Sequence, residues 1–336
     1  MLGKYEISGN KKNSLIISVA MCTYNGSKYL QEQLYSIAKQ IRLPDELVVC
    51  DDGSTDSTFQ MLEEFKKRAS FPVRIYRNKI RLGATKNYEK AITLCEGNII
   101  ALCDQDDVWL PHKIEKLEHI FKSNPDAGYV FSDAIVVDEK LFPFRYTLWK
   151  YVLFTEGQRK NFKQGHQIEV LINHNVVTGA AMAFQKELRN WILPIPEKWV
   201  HDEWIALLAS AGGAKGIFME ESFIKYRIHS KQLIGVDVEG DSLIEQFKKS
   251  YNTKSDHYRV KEERIIYVLD RLRLVNKLTE EANKLFEEKI THLQARQWIH
   301  NNSRWKRPSR VFIELLSGRY HRFSNGWKSV IKDLCL

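Results

Sequence analysis

Three aspartates, Asp104, Asp106 and Asp107, crowd together directly after the apolar run 98–103. Like charges at that spacing repel, and a cation is the natural answer to them. Mg²⁺ or Mn²⁺, held by one or two carboxylates and completed by substrate phosphates, is such a cation. The plainer role is a solvated acidic turn ahead of Trp109 and Pro111. A second acidic turn, Asp51-Asp52-Gly53-Ser54-Thr55-Asp56, follows the apolar run 46–50. It can serve as an Asx turn that caps a helix. It can also offer Asp52 to a nucleobase or ribose. Tyr24, in Thr23-Tyr24-Asn25, can stack on that base or simply close a strand.

These clusters need elements to hold them, and the pattern supplies them. Leu15 to Cys22 reads as a strand. Ser27 is predicted to cap a helix with Leu30, Leu34, Ile37 and Ala38 on one face. Pro44 ends the connection to a second strand, Glu46 to Cys50. Ser57 and Gln60 fit a capping box ahead of the stripe Leu62, Phe65 and Ala69. Val73 to Tyr76 is a third strand, and Ala84 to Cys95 a helix with Gly97 as its stop. Asn98 to Cys103 is a fourth strand, Pro111 opens a helix, and Gly128 to Val137 is a further strand. Repeated β-α-β units predict an α/β fold, a mostly parallel sheet with flanking helices. Ligands of such sheets bind outside the carboxyl ends of the strands, where all three polar clusters fall.

Beyond this half the pattern is less regular. Phe142 to Gln167 is aromatic and basic and is expected to be loops. Val176 to Phe184 is small and apolar around Gly179, which reads first as packing. Ile205 to Ala211 is helical. A helical pattern runs from about Ser242 to His300, with Ile265, Val268, Leu269, Leu272 and Val275 at helical spacing.

Composition sets wider bounds. The chain has 336 residues, 43% hydrophobic and 28% charged, enough for a large globular core. None of the five cysteines forms a C-x-x-C pair, which argues against a zinc knuckle. Cys22, Cys50 and Cys103 sit near strand ends, where a thiol acts as a small hydrophobe. With no secretory apolar segment at the start, a cytoplasmic setting is expected. No apolar run is long enough to span a bilayer.

Taken together, the motifs resemble the inverting glycosyltransferase family 2, which has the GT-A (Rossmann-like) fold. The likeness runs from Ser18 to about Asp138. It rests on Thr23-Tyr24-Asn25, on Asp51 through Asp56, on Gly83 and Asn87, and on Asp104-Gln105-Asp106-Asp107-Val108-Trp109. It implies transfer of a sugar from a nucleotide diphosphate donor. Tyr24 and Asp52 would contact the nucleobase, with Thr23 and Asn25 beside them. Asp106 and Asp107 would hold Mg²⁺ or Mn²⁺, Asp107 as the more direct ligand and Asp104 as support. A weaker likeness reaches residue 235. It makes His201-Asp202-Glu203-Trp204 the place of the catalytic base, assigned to Asp202 with Glu203 as competitor; an N-cap is the plainer role. Tyr226-Arg227-Ile228-His229 resembles a motif of rhamnosyltransferase-like members, where Arg227 and His229 would engage the diphosphate or metal. The implied domains are a GT-A unit over 14–235 and a helical, basic extension over 236–336. The implied donor is a sugar nucleotide such as dTDP-rhamnose. The implied acceptor is a saccharide or lipid-linked saccharide of surface polysaccharide assembly. The rivals are a haloacid-dehalogenase-like phosphatase and a non-catalytic sugar-nucleotide or nucleic-acid binder.

The net charge of +9 is concentrated at the end of the chain. From Arg296 to Leu336 nine Lys and Arg face only Glu314 and Asp333. Trp298, Trp305, Phe312, Tyr320, Phe323 and Trp327 are interleaved with them. Aromatic residues favour the headgroup boundary and basic ones an anionic bilayer. A peripheral contact with the inner face of the membrane is expected, against the simpler expectation of a helical cap packed on the core. No nucleic acid is expected as a partner.

Overall fold

The computed structural model describes residues 15–230 and 256–335. The expected domain boundary at 235 and the start of the helical pattern near Ser242 lie outside them. A nine-stranded sheet runs in the order β3-β2-β1-β4-β8-β6-β9-β5, with β7 added to β6. Its first half is parallel throughout. β1 (Ile17–Thr23) lies between β2 (Glu46–Asp51) and β4 (Ile99–Cys103), and β3 (Val73–Arg77) flanks β2. β2 and β4 are buried along their whole length, as strands covered on both faces must be. Helices α1 (Leu30–Ala38), α2 (Thr58–Arg68) and α3 (Ala84–Leu94) connect them, and α4 (Lys113–Ser123) follows the acidic loop.

The second half brings the site together. β5 (Val108–Trp109) leaves the acidic loop and pairs antiparallel with Ile224 and Lys225 of β9 (Lys215–Arg227). β6 (Ala127–Val137) runs parallel to β9, and Val137 pairs with Arg227. β8 (Met182–Gln185) is antiparallel to both β4 and β6 and joins the two halves. The end of β9 is thereby laid beside Asp106 and Asp107.

Several local expectations need correction. Residues 142–167 are not loops: they hold β7 (Pro143–Thr147) and short helices at Leu148–Tyr151 and Glu156–Lys163, with another at Gln167–Leu171. Elements this short show no readable period. The capping box forms there, between Thr155 and Gln158. It does not form at Ser57; Asp56 accepts from the Thr58 N–H instead. Ser27 does not cap α1, whose N-cap is Tyr29. Gly97 does not stop α3, which ends in extended backbone at Cys95. Gly97 is needed for close approach: a Cβ there would sit 2.6 Å from the Ile16 carbonyl.

The C-terminal helices are built onto the sheet domain. Ile265, Val268, Leu269 and Leu272 of the helix Asp256–Leu274 share one buried cluster with Trp204, Ile205 and Leu208. Phe286 and Leu293 of the helix Glu280–Asn301 join the same cluster.

Candidate active site

Three loops at the carboxyl ends of β1, β2 and β4 are zipped together by hydrogen bonds. The Tyr24 N–H donates to Gln105 Oε1 at 2.9 Å, and Gln105 Nε2 donates back to the Tyr24 carbonyl at 3.1 Å. Gly26 has no room for a side chain, because a Cβ would meet Gln105 at 2.1 Å. Asn25 adopts φ 46° and accepts the Thr55 N–H at 2.8 Å. Thr23 donates its hydroxyl to Asp51 and is buried. Thr23 and Asn25 thus spend these side-chain bonds on holding the loops together.

Asp52 is buried and accepts three hydrogen bonds, from Asn78 Nδ2 at 2.8 Å, Leu82 N at 2.7 Å and Gly83 N at 2.9 Å. A carboxylate offers about four lone-pair positions, so about one is left for a ligand. Asp52 thus shapes the loop 78–83 as much as it can read a base. The guanidinium of Arg81, from that loop, lies 3.9 Å above the Tyr24 ring centroid. A cleft lined by Gly53, Arg77, Asn78 and Lys79 opens beside them.

The acidic loop is more buried than its sequence suggests. Asp107 is fully buried; Oδ1 accepts the Arg227 N–H at 3.0 Å, and Oδ2 has no partner. Burial first, then Asp106 and Asp104, push its carboxyl well above the usual range. Asp104 is pushed up to about 6 by burial and by Asp106, while the Tyr88 hydroxyl donates to it at 2.5 Å. Asp106 stays partly open, and its Oδ2 is 2.9 Å from His229 Nε2. Arg227 is 1% exposed and donates Nε to the Asp106 carbonyl, Nη1 to the Glu139 carbonyl and Nη2 to Glu32. It clamps the loop from behind.

The residues fit a divalent cation in part. An orphaned buried carboxylate oxygen on Asp107 and the carboxylate of Asp106 offer hard oxygen donors suited to Mg²⁺ or Mn²⁺, with the His229 imidazole beside Asp106. Among the described residues no three His, Cys, Asp or Glu side chains form a ready metal cage. Donor phosphates would have to complete the shell, as is usual for Mg²⁺.

Lys113 lies beneath this loop, unforeseen from the sequence. It is 1% exposed, donates to the Ala180 carbonyl at 2.6 Å and sits 3.8 Å over the Trp109 ring. Burial pulls its ammonium down to about 7, against the pull of Cys103, Asp107 and Asp104. Lys113→Met should lower unfolding stability by about 1–3 kcal/mol, the cost of leaving a buried carbonyl unpaired. Urea denaturation of the two proteins measures it; equal stability would make Lys113 a passenger.

Asp202, on the helix His201–Ala211, lies within electrostatic reach of Asp104 in the acidic loop. It is not the N-cap, which is Val200. Its carboxylate accepts the Gly179 N–H at 2.8 Å, its neighbour Glu203 N–H at 2.6 Å and Asn175 Nδ2 at 3.1 Å. Burial still outweighs these bonds and pushes it up to about 6. Gly179, read first as packing, is required here: a Cβ would sit 2.6 Å from His201 Nε2. His201 stacks on Tyr88 at 3.9 Å, and burial holds it down at about 4, so it is neutral. Tyr226 lies within electrostatic reach of both acidic groups. Burial raises its hydroxyl first, followed by Asp107, Asp104, Asp106 and Asp202. Glu203 points elsewhere and pairs with Arg264 of the C-terminal helix at 2.6 Å.

A sugar-nucleotide fold with an acidic loop and an opposed carboxylate defines a class, and comparison with known proteins gives that class its name. The model of glycosyl transferase family 2 matches residues 18–190, more than half of the chain, and the chain belongs to that family. It is a glycosyltransferase, which sets aside the phosphatase and the non-catalytic binder. An uncharacterized glycosyltransferase of Methanocaldococcus jannaschii is 28% identical over 73% of this chain and 80% of that protein. The Escherichia coli glucosyltransferase WfgD is 32% identical over 32% of this chain and 42% of its own length. The Staphylococcus aureus TarS fragment 1–349, solved with UDP-GlcNAc, superposes with a TM-score of 0.54 at 18% identity, covering 95% of this chain and 81% of that one. That likeness shows the fold.

Proposed function

We propose that the protein transfers a sugar, with inversion, from a nucleoside diphosphate sugar to a hydroxyl of a saccharide or lipid-linked saccharide in surface polysaccharide assembly. The observation that carries this reading is Asp202: a buried carboxylate held by Gly179 and Asn175, raised to about 6, and within electrostatic reach of the acidic loop, where Asp106 is partly open. A base poised near the working pH combines the ionised form with useful proton affinity. Asp202 takes the acceptor hydroxyl proton as that oxygen bonds to the anomeric carbon. The bond from the anomeric carbon to the diphosphate breaks on the opposite face. Tyr24 and Asp52 line the base end of the donor, and Asp106, Asp107 and His229 are the residues that would hold Mg²⁺ or Mn²⁺. The cation would offset charge on the departing diphosphate. Asp104 and Tyr88 keep His201 and the loop in register.

Two relatives support the setting by what their names say of them. WfgD is named as transferring glucose from UDP-Glc to a GlcNAc-diphosphoundecaprenol, and RfbV of Salmonella typhimurium as an abequosyltransferase. The first donors to test are dTDP-rhamnose and the UDP-hexoses. A lipid-borne acceptor would hold the work at the cytoplasmic face of the membrane. The test is release of nucleoside diphosphate from a panel of sugar nucleotides with Mn²⁺, alone and with lipid-linked saccharide. One donor should stand out, and acceptor should raise its turnover. No release from any donor would sink the reading.

A further inference from the structure

The C-terminal helices are built inside out. Between residues 302 and 335 the chain has two acids, Glu314 and Asp333, and both are fully buried. Asp333 takes a two-pronged hydrogen bond from Arg296 at 2.7 Å and the Tyr320 hydroxyl at 2.7 Å. Glu314 takes His292 at 2.8 Å and Arg319 at 2.7 Å. Arg322 pairs with Glu169 and Glu288. This corrects the simple count of nine basic residues, since Arg296, Arg319 and Arg322 are neutralised within the fold.

The apolar residues face the other way. On the helix Arg307–Leu316 the buried positions are Arg307, Val311 and Glu314, while Phe312, Ile313 and Leu316 are exposed, Leu316 by 72%. On the helix Trp327–Cys335 the buried positions are Ser329, Val330 and Asp333, while Trp327, Ile331 and Leu334 form an outward stripe. Val311 and Val330 share one small cluster with Ile299 and Tyr320, so the two helices pack together through their buried sides and both leave their large apolar side chains outside. Trp305, in the turn before, is 95% exposed. Arg304, Lys306 and Lys328 are exposed alongside these residues. A helix in water keeps its polar face outward. Large apolar side chains exposed in a segment, 302–335, whose own exposed charges are all cationic suit a bilayer interface of anionic lipid.

We propose that this face, Trp305, Phe312, Ile313, Leu316, Trp327 and Ile331, docks the enzyme onto an anionic membrane, with Lys306 and Lys328 meeting the headgroups. The apolar side chains enter the headgroup boundary, where Trp is favoured. Each Lys or Arg at an anionic surface strengthens partitioning about fivefold. The proposal rests on the transferase reading only for its purpose, bringing a lipid-borne acceptor to Asp202. A second copy of the chain would also cover the apolar residues, but the segment 302–335 exposes cations and no acid of its own, so two copies would meet there with like charge.

The test is co-sedimentation of the whole protein with vesicles of phosphatidylcholine, with and without phosphatidylglycerol. Cutting the chain near residue 295 would remove part of the helix that supplies Leu293 to the core, so substitutions are used. Phe312→Ser with Leu316→Ser and Trp327→Ser removes the apolar face; Lys306→Glu with Lys328→Glu reverses the charge. All five sites are exposed, and the melting temperatures should match that of the parent. The parent should pellet with anionic vesicles at low salt and less at high salt, and each variant should partition at least tenfold more weakly. Nucleoside diphosphate release without vesicles should be unchanged, so loss of the docking idea and loss of the transferase reading are separate results. A parent that stays in the supernatant overturns the proposal, as does pelleting that the variants retain. Light scattering that shows a dimer broken by the same variants also overturns it.

Discussion

Asp202→Asn is expected to bind donor within a few-fold of the parent and to transfer sugar at least about a hundredfold more slowly, the loss typical of a missing general base. The geometry makes this a sharp test, because the competitor is already engaged. Glu203 is tied to Arg264, while Asp202 is held by Gly179 and Asn175 and lies within electrostatic reach of Asp104. Glu203→Gln should therefore change turnover by less than about tenfold. The pH profile adds an independent readout. Burial raises the Asp202 carboxyl to about 6, so the base is ionised above that value and protonated below it. Parent turnover should fall as pH drops through about 6, and Asp202→Asn should lose the share of that fall that Asp202 carries, Asp104 being raised to the same range. Near-normal turnover in Asp202→Asn, with collapse in Glu203→Gln, would reverse the assignment.

The acidic residues were legible because their signal is local. Asp104, Asp106 and Asp107 end an apolar run, and the run alone fixes both the strand and the side on which its polar tail emerges. Asp52 was legible for the same reason, though not the loop 78–83 that it holds. The clamp made by Arg227 was not legible because its partners, the Asp106 and Glu139 carbonyls and Glu32, are distant in sequence. An arginine near acids suggests phosphate binding, and only tertiary structure shows that every arm is already used. Lys113 and Gly179 were hidden likewise: one looks like a surface lysine on a helix, the other like a packing glycine. The parallel strands could be read from their continuous apolar runs. β8 could not, because four residues between short helices carry no period, and its antiparallel pairing with β4 and β6 is decided by what those strands leave open. The tail is the reverse case. Its basic and aromatic residues were visible, but which of them face solvent depended on the burial of Glu314 and Asp333.

Asp107→Asn should abolish the divalent-ion dependence of donor binding without unfolding the protein. In the parent, Asp107 Oδ2 is buried and unpaired, next to Asp106 and Asp104. A buried anion without a partner is costly, and a bound cation removes that cost. The amide of asparagine keeps the shape and can still accept the Arg227 N–H, so the clamp on the loop should survive. The two proteins should then differ in their response to Mn²⁺. The parent melting temperature should rise with Mn²⁺ and nucleoside diphosphate together, because ligands of the native state stabilise it by mass action. The variant should show little rise, and its affinity for donor by calorimetry should fall at least about tenfold and be the same with or without chelator. Asp106→Asn should behave alike, since Asp106 is the more open of the two and meets His229. His229→Ala should weaken the Mn²⁺ response less if the imidazole only orients Asp106, and as much as Asp106→Asn if it binds the ion itself. A parent whose donor affinity is indifferent to chelator would remove the metal from this site and leave Lys113 and the loop amides to balance its charge.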